Sequence, residues 1–264
     1  MASQHHDLTW FSEHFFVETR LHYNSRMVVS LGTLLKNNKK VIIRNVENQK
    51  TQEAQLLRKL RHVVGVVNLI GTFEFNATRQ LIVTEFFGSS NLARYLKRTG
   101  PLPENTTRHI ATQLVSVVQS LYNQHILHPK IIPANILIDS KTLEIRLHNF
   151  DTAVTFEKDT PLNVPIIENI SPPEYLNTSQ VTADGHFVWQ LGLIFYELMF
   201  NRKPFLSKYA VLEESIVIYP CFLQNPVDIA VFVLLAKMLE KTPLLRLPLS
   251  MLHYHPWFKF KKMI

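Results

Sequence analysis

The spacing of apolar residues changes period once along this chain, near Gly88-Ser89-Ser90, and that change commits it to a fold in two parts. From Phe15 to Phe87, strand-like runs such as Val41 to Val46 and Leu81 to Phe86 alternate with one helical stretch, Gln52 to Arg61. Beyond Ser90 the pattern is helical. Asn91 to Arg98 and Pro103 to His125 read as helices, the second with apolar Ile110, Leu114, Val117, Val118 and Leu121. Further helical runs fall at Trp189–Phe200, Pro226–Glu240 and Leu249–His255. The fold class is α+β: a small antiparallel sheet with one major helix over 15–87, and a larger, mainly helical part over 88–264. Residues 1–14 have no strong period and read as an N-terminal arm. There is no internal repeat and no low-complexity tract.

The 264 residues suffice for one such domain, and 46% hydrophobic residues suffice for its core. No basic-then-apolar run opens the chain, so no signal peptide is expected. The most apolar run, Phe187 to Phe200, is fourteen residues long and contains Gln190 and Glu197, which suits a buried helix and not a membrane span. A lone cysteine, Cys221, excludes an intramolecular disulfide and suits a reducing compartment, the cytosol or the nucleus. The net charge of +7 is dispersed apart from short clusters such as Lys36 to Lys40 and Lys259 to Lys262. That reads as solvated surface or an acidic partner before specific nucleic-acid binding. His253 and His255 are two apart and would not share a helix face, so no metal site is expected.

Chemistry enters at His128-Pro129-Lys130-Ile131-Ile132-Pro133-Ala134-Asn135. The stretch resembles the catalytic loop of eukaryotic protein kinases, H-R-D-L-x-x-x-N, whose Asp accepts the substrate hydroxyl proton and whose Asn holds magnesium. His128 and Asn135 match, but Lys130 stands at the catalytic Asp. An ammonium has three donors and no acceptor. Fourteen residues after Asn135, Asn149-Phe150-Asp151 takes the place of D-F-G, putting an amide where the family has a metal-binding carboxylate. Val41-Ile42-Ile43-Arg44 matches the V-A-I-K strand, with Arg44 for the phosphate-gripping lysine and Ile42 for the alanine beside the adenine. Glu53 resembles the glutamate that pairs with that lysine. Aligning Val29 with the valine of G-x-G-x-x-G-x-V puts His22, Asn24 and Met27 at the three glycine positions. Glycines there let backbone N–H groups approach phosphate.

Other landmarks follow in family order. Leu81 to Phe87 resembles the strand that enters the hinge, with Thr84 as gatekeeper and Glu85, Phe86 and Phe87 as hinge residues. Ser171-Pro172-Pro173-Glu174 resembles A-P-E. Val188-Trp189-Gln190-Leu191-Gly192 resembles the end of D-x-W-S-x-G, with Phe187 at the aspartate. By the resemblance, Leu57, Leu69, His128 and Phe150 form a hydrophobic stack, and Arg246 pairs with Glu174. The match runs from about Phe15 to Phe258. Asn135 to Asp139, the Ser171–Glu174 motif and His255-Pro256-Trp257 look like Pim or calcium/calmodulin-group serine/threonine kinases, while the hinge looks more like a tyrosine kinase. Thr152, Thr155 and Thr160 lie in the stretch matching the activation segment, where they are phosphorylation candidates or ordinary loop residues.

With so many positions changed together, the resemblance implies a kinase fold without the chemistry: a pseudokinase serving as a scaffold, decoy or allosteric regulator of a true kinase or other signalling protein. No cofactor is then expected, with ATP and Mg²⁺ binding in doubt. Two alternatives stay open. One is a very weak ATP-dependent serine/threonine phosphotransferase, with Lys40 (~13 Å from Arg44 along the strand) or Asp151 as substitute groups. The other is a nucleotide-sensing switch without turnover.

Overall fold

The computed structural model describes residues 8–23, 27–47, 52–76, 78–88, 90–164, 170–217 and 229–259. The chain divides into two compact units. The first comprises Met1–His62, Val66–Phe87 and Asn149–Ala153; the second comprises Val63–Gly65, Gly88–His148 and Val154–Ile264.

The first unit is a five-stranded antiparallel sheet with two helices. Helix α1 (Leu8–His14) leads into β1 (Phe15–Tyr23), β2 (Met27–Leu34), β3 (Lys39–Glu47), α2 (Glu53–Lys59), β4 (Leu69–Asn76) and β5 (Arg79–Glu85), in the sheet order β1-β2-β3-β5-β4. The pairs β1–β2, β2–β3 and β4–β5 are consecutive in the chain with few residues between them, which favours antiparallel pairing, while β5 reaches β3 after α2 and β4. Val41 and Ile43 alternate into the core on the central β3, whereas Leu81 to Thr84 are all buried on the interior strand β5. The N-terminal arm is partly helical, which its sequence did not signal. Seven residues are too few to hold a helix by propensity. Phe11 instead stacks on Phe15 at 5.0 Å and Trp10 on Phe73 at 5.2 Å, in a cluster with Val41, Leu81 and Val83. Tertiary burial makes this helix.

The second unit is mainly helical: α3 (Leu92–Thr99), α4 (Glu104–Asn123), α5 (Pro173–Thr178), α6 (Ala183–Phe200), α7 (Lys208–Glu213), α8 (Ile229–Met238) and α9 (Pro256–Lys259). Asn91 caps α3 by accepting the Arg94 N–H, and Thr182 caps α6 by accepting that of Gly185. Helix α6 is buried nearly all round, as its apolar run requires. It starts six residues before the expected Trp189, because Asp184, Gly185 and His186 in its first turn interrupt the apolar pattern that marks the rest. The expected helix over 249–255 is instead a 3₁₀ segment, Leu249–Tyr254. Short strands β6 (Ser90–Asn91), β8 (Ile136–Ile138) and β9 (Ile145–Leu147) form one ribbon; β7 (Ile126–Leu127) and β10 (Val154–Thr155) form another. Strands β7 and β8 bracket the segment from His128 to Asn135. Gly88, at φ +58°, opens this unit; a Cβ there would meet the Ile138 carbonyl oxygen at 2.4 Å, so only glycine fits.

The architecture is the α+β one expected, an antiparallel sheet with its helix followed by a helical part. Among the described residues, no helix is long and apolar enough to cross a membrane.

Candidate functional site

In the first unit, β3 and α2 bring Arg44 and Glu53 together. Arg44 lies opposite Val29 on β2 and Ile82 on β5, and its Nη2 lies 2.5 Å from Glu53 Oε1. The two side chains are only 9% and 1% exposed, so the pair has left water almost completely. The same Oε1 accepts the backbone N–H of Phe150 at 2.9 Å. One buried carboxylate thus ties a strand, a helix and the Asn149–Asp151 segment. Its negative charge is met by a guanidinium, which presents five donors in a rigid fork.

Phe150 is fully buried, as is Leu57 on α2. Leu69 packs with Met27 against Val46, Ala54 and Ile82. The residue at the last glycine position is therefore an apolar side chain seated in this unit's own core. His22, at the first position, lies on β1 opposite Val29 and is exposed; Asn24 lies outside the described residues. Ile42 is half-buried between Leu31 and Thr84 on the flanking strands. Thr84 is buried. Glu85 donates its N–H to the Asn68 carbonyl at 2.9 Å and accepts the Asn68 N–H on its side chain at 2.9 Å. Phe86 donates to the Lys40 carbonyl at 3.3 Å with its ring exposed, and Phe87 is half-buried.

Neither substitute group takes up the role considered for it. The Lys40 ammonium is ion-paired with Glu18, which also accepts from Thr33, and these bonds hold the Glu18 carboxyl below its usual range. Asp151 sits exposed in a turn. Asn149 has a left-handed backbone, φ +68°, a conformation asparagine tolerates better than most residues.

In the second unit, His128 Nε2 donates to the His148 carbonyl at 3.1 Å, leaving Nδ1 to accept the Lys130 N–H at 3.2 Å. The two contacts define one neutral tautomer. Asn135 Nδ2 donates to the Lys130 carbonyl at 2.9 Å, and the Asn135 carbonyl accepts the His148 N–H at 3.1 Å. Lys130 is thus fixed at its backbone while its side chain remains partly exposed. Two further residues on α6 grip this loop, and the sequence reading passed over both: His186 and Gln190, each donating to the Pro129 carbonyl. Burial pushes the His186 imidazole down to about 4, so it donates as a neutral ring. The available signal was two polar residues four apart in a run otherwise too apolar to spare them.

Arg246 reaches Glu174 with both terminal nitrogens, at 2.6 and 2.8 Å, and its guanidinium lies 5.1 Å over the Trp189 ring. Thr155 and Thr160 are exposed; the buried Thr152 hydroxyl has no hydrogen-bond partner among the described residues.

The donors at the two metal positions, Asn135 and Asn149, are amides. No group of three His, Cys, Asp or Glu side chains able to hold a metal occurs among the described residues. Asn135 is the amide that the family uses for magnesium, whereas Asn149 puts a neutral oxygen where the family has a carboxylate and offsets less of the dehydration of Mg²⁺, so one of the two ligand positions is kept.

A family profile, the protein kinase domain, matches residues 22–258. Similar proteins include an Aurora kinase of Dictyostelium discoideum, 26% identical over 89% of this chain and 60% of that protein. The serine/threonine-protein kinase ULK3 of Homo sapiens is 28% identical over 91% of this chain and 51% of its own length. The serine/threonine-protein kinase TIO of Arabidopsis thaliana is 31% identical over 79% and 16% respectively. The chain thus spans between about a sixth and three fifths of these relatives.

These findings overturn the expectation of an inactive, non-enzymatic interaction module. The relatives carry the names of protein kinases, and the match runs through every position at which chemistry was judged lost. The physical error lay in equating changed groups with absent function. Phosphoryl transfer rests mainly on positioning and electrostatics, and the buried cation at 44 still has its glutamate. The relatives named here also lend no support to the Pim resemblance.

Proposed function

The chain belongs to the protein kinase domain family, and from that premise we propose that it is an atypical, slow, ATP-dependent serine/threonine phosphotransferase acting on protein substrates. The observation that carries this reading is the buried Arg44–Glu53 pair with Phe150 bonded to the same carboxylate. It keeps a permanent positive charge at the position of the family's phosphate-binding lysine, with donors left over for phosphate oxygens. The names of the relatives favour serine or threonine over tyrosine as acceptor.

Lys130 cannot take a proton from the acceptor hydroxyl. In this reading the proton passes to an oxygen of the transferred phosphoryl group as the new P–O bond forms and the bond to the nucleoside diphosphate breaks. A missing general base lowers the rate by roughly 10²–10⁴-fold, which makes slow turnover part of the proposal. No step is assigned to a metal ion. The lone cysteine and the absence of a membrane-spanning helix among the described residues are consistent with the cytosol or nucleus.

The test is incubation of the purified protein with γ-labelled ATP and mixed serine/threonine and tyrosine peptides, in Mg²⁺, Mn²⁺ and EDTA. Slow formation of phosphoserine or phosphothreonine, lost in Arg44→Ala, is the expected result. Transfer no faster than the blank, or unchanged in Arg44→Ala, defeats the reading. Saturable thermal stabilisation by ATP without transfer would replace it with a nucleotide-binding role.

A further inference from the structure

Four backbone polar groups on either side of Lys130 each meet a side chain. The Pro129 carbonyl accepts from Gln190 Nε2 at 2.8 Å and from His186 Nε2 at 3.2 Å. The Lys130 N–H donates to His128 Nδ1 at 3.2 Å, and its carbonyl accepts from Asn135 Nδ2 at 2.9 Å. The Ile131 N–H donates to Gln190 Oε1 at 2.9 Å. Gln190 therefore uses both ends of its amide, one on the residue before Lys130 and one on the residue after it. It is 1% exposed, and His186, one helical turn earlier on the same face of α6, is 2% exposed.

Position 187, where the D-x-W-S-x-G pattern has its carboxylate, is a fully buried phenylalanine. The polar face that α6 turns towards the loop is supplied from 186 and 190 instead. We infer that Gln190, assisted by His186, is the positioning residue of the Lys130 loop, fixing the backbone on both sides of position 130 and hence the direction in which the lysine side chain leaves it. The anchor is made of uncharged groups, since His186 is held neutral by burial. It brings no carboxylate of its own to the loop.

A buried amide between two backbone groups has a sharp test, because removing it leaves both unsatisfied. Residue-resolved hydrogen exchange on the full chain reads the Ile131 amide directly and requires no catalytic assay, so it stands whether or not phosphotransfer is found. Gln190→Met keeps the side-chain length and removes both contacts. The Ile131 amide is expected to exchange at least about tenfold faster relative to the Val117 and Val118 amides of α4, which report global stability; a lost bond of about 1.4 kcal/mol corresponds to that factor. Gln190→Glu retains the acceptor oxygen and should restore protection at Ile131, although it cannot donate to Pro129. Equal acceleration at Ile131 and on α4 would mean general loosening and overturn the assignment. So would a Gln190→Glu variant that protects Ile131 no better than Gln190→Met.

Discussion

Arg44→Met tests whether the Arg44–Glu53 pair holds the first unit together as well as supplying a charge. Methionine keeps much of the apolar stem and removes the guanidinium, leaving Glu53, only 1% exposed, without its counter-ion. Removing one partner of a buried pair typically costs about 3–5 kcal/mol, because the other charge stays desolvated. At roughly 2–4 °C per kcal/mol for a domain near this size, the melting temperature should fall by about 10 °C. Glu53→Gln should cost a similar amount through the stranded guanidinium, although the amide oxygen still accepts the Phe150 N–H. The double variant carries no buried charge and keeps that bond, so it should recover much of the loss. A cycle measured by urea unfolding at pH 7 should then give a coupling of at least about 2 kcal/mol. Single variants costing under about 1 kcal/mol, or a double variant equal to their sum, would refute the argument. The pair would then be a surface-like contact despite its burial.

Arg246→Met should cost about 3–5 kcal/mol by the same reasoning, since Arg246 also bonds the Glu240 and Gly185 carbonyls at 2.9 and 3.2 Å. Arg246→Lys should recover only part, because an ammonium cannot span both Glu174 oxygens; full recovery in urea unfolding would contradict the bidentate geometry. Gly65 has φ +91°, and a Cβ there would lie 2.2 Å from Val117 Cγ2 on α4. Gly65→Ala should therefore lose about 2–4 kcal/mol from backbone strain and overpacking together, and a thermally silent variant would show the turn to be pliable. His186 titrates near 4 when folded against 6.5 as its ordinary value, so the unfolded chain binds the extra proton between those limits. Its contribution is complete above pH 6.5 and is lost as pH falls towards 4, by about 3 kcal/mol in all. Burial causes most of this, partly opposed by the hydrogen bond to the Pro129 carbonyl and reinforced by the Arg246 charge. His186→Gln should flatten that part of the stability–pH curve, and an unchanged slope would exclude His186 as its source.

The two-part fold was legible because its signals are local. Short strand-like apolar runs marked β3 and β5, the switch near Gly88 marked the change to helices, and residue types at fixed offsets marked the loops. Arg44 with Glu53 and Arg246 with Glu174 were legible only through the resemblance to the kinase motifs; in the folded chain each buried charge does meet that partner. What stayed hidden was set by tertiary contact alone. Helix α1 exists because Trp10 and Phe11 meet Phe15 and Phe73, and no seven-residue window announces that. Met27 was read as an obstacle at a glycine position, yet it packs against the core around Ile82. Gln190 stands out in the sequence as a polar break in an apolar run and as part of the D-x-W-S-x-G match, and neither signal shows that it bonds the loop.

The largest misjudgement concerned function, and its cause is physical. A motif comparison scores each position as kept or lost, whereas a site responds to the field its groups make together. Arg44 differs from lysine in shape and keeps its charge and its partner. Gln190 is an uncharged residue, three positions after the one where the motif has its aspartate, and it holds the backbone on both sides of Lys130. A residue-by-residue score counts both as losses. In the folded chain, a buried cation on Glu53 and a loop clamped around Lys130 are what such substitutions leave when the scaffold keeps the work of positioning. Positioning is the part of phosphoryl transfer that proteins chiefly supply.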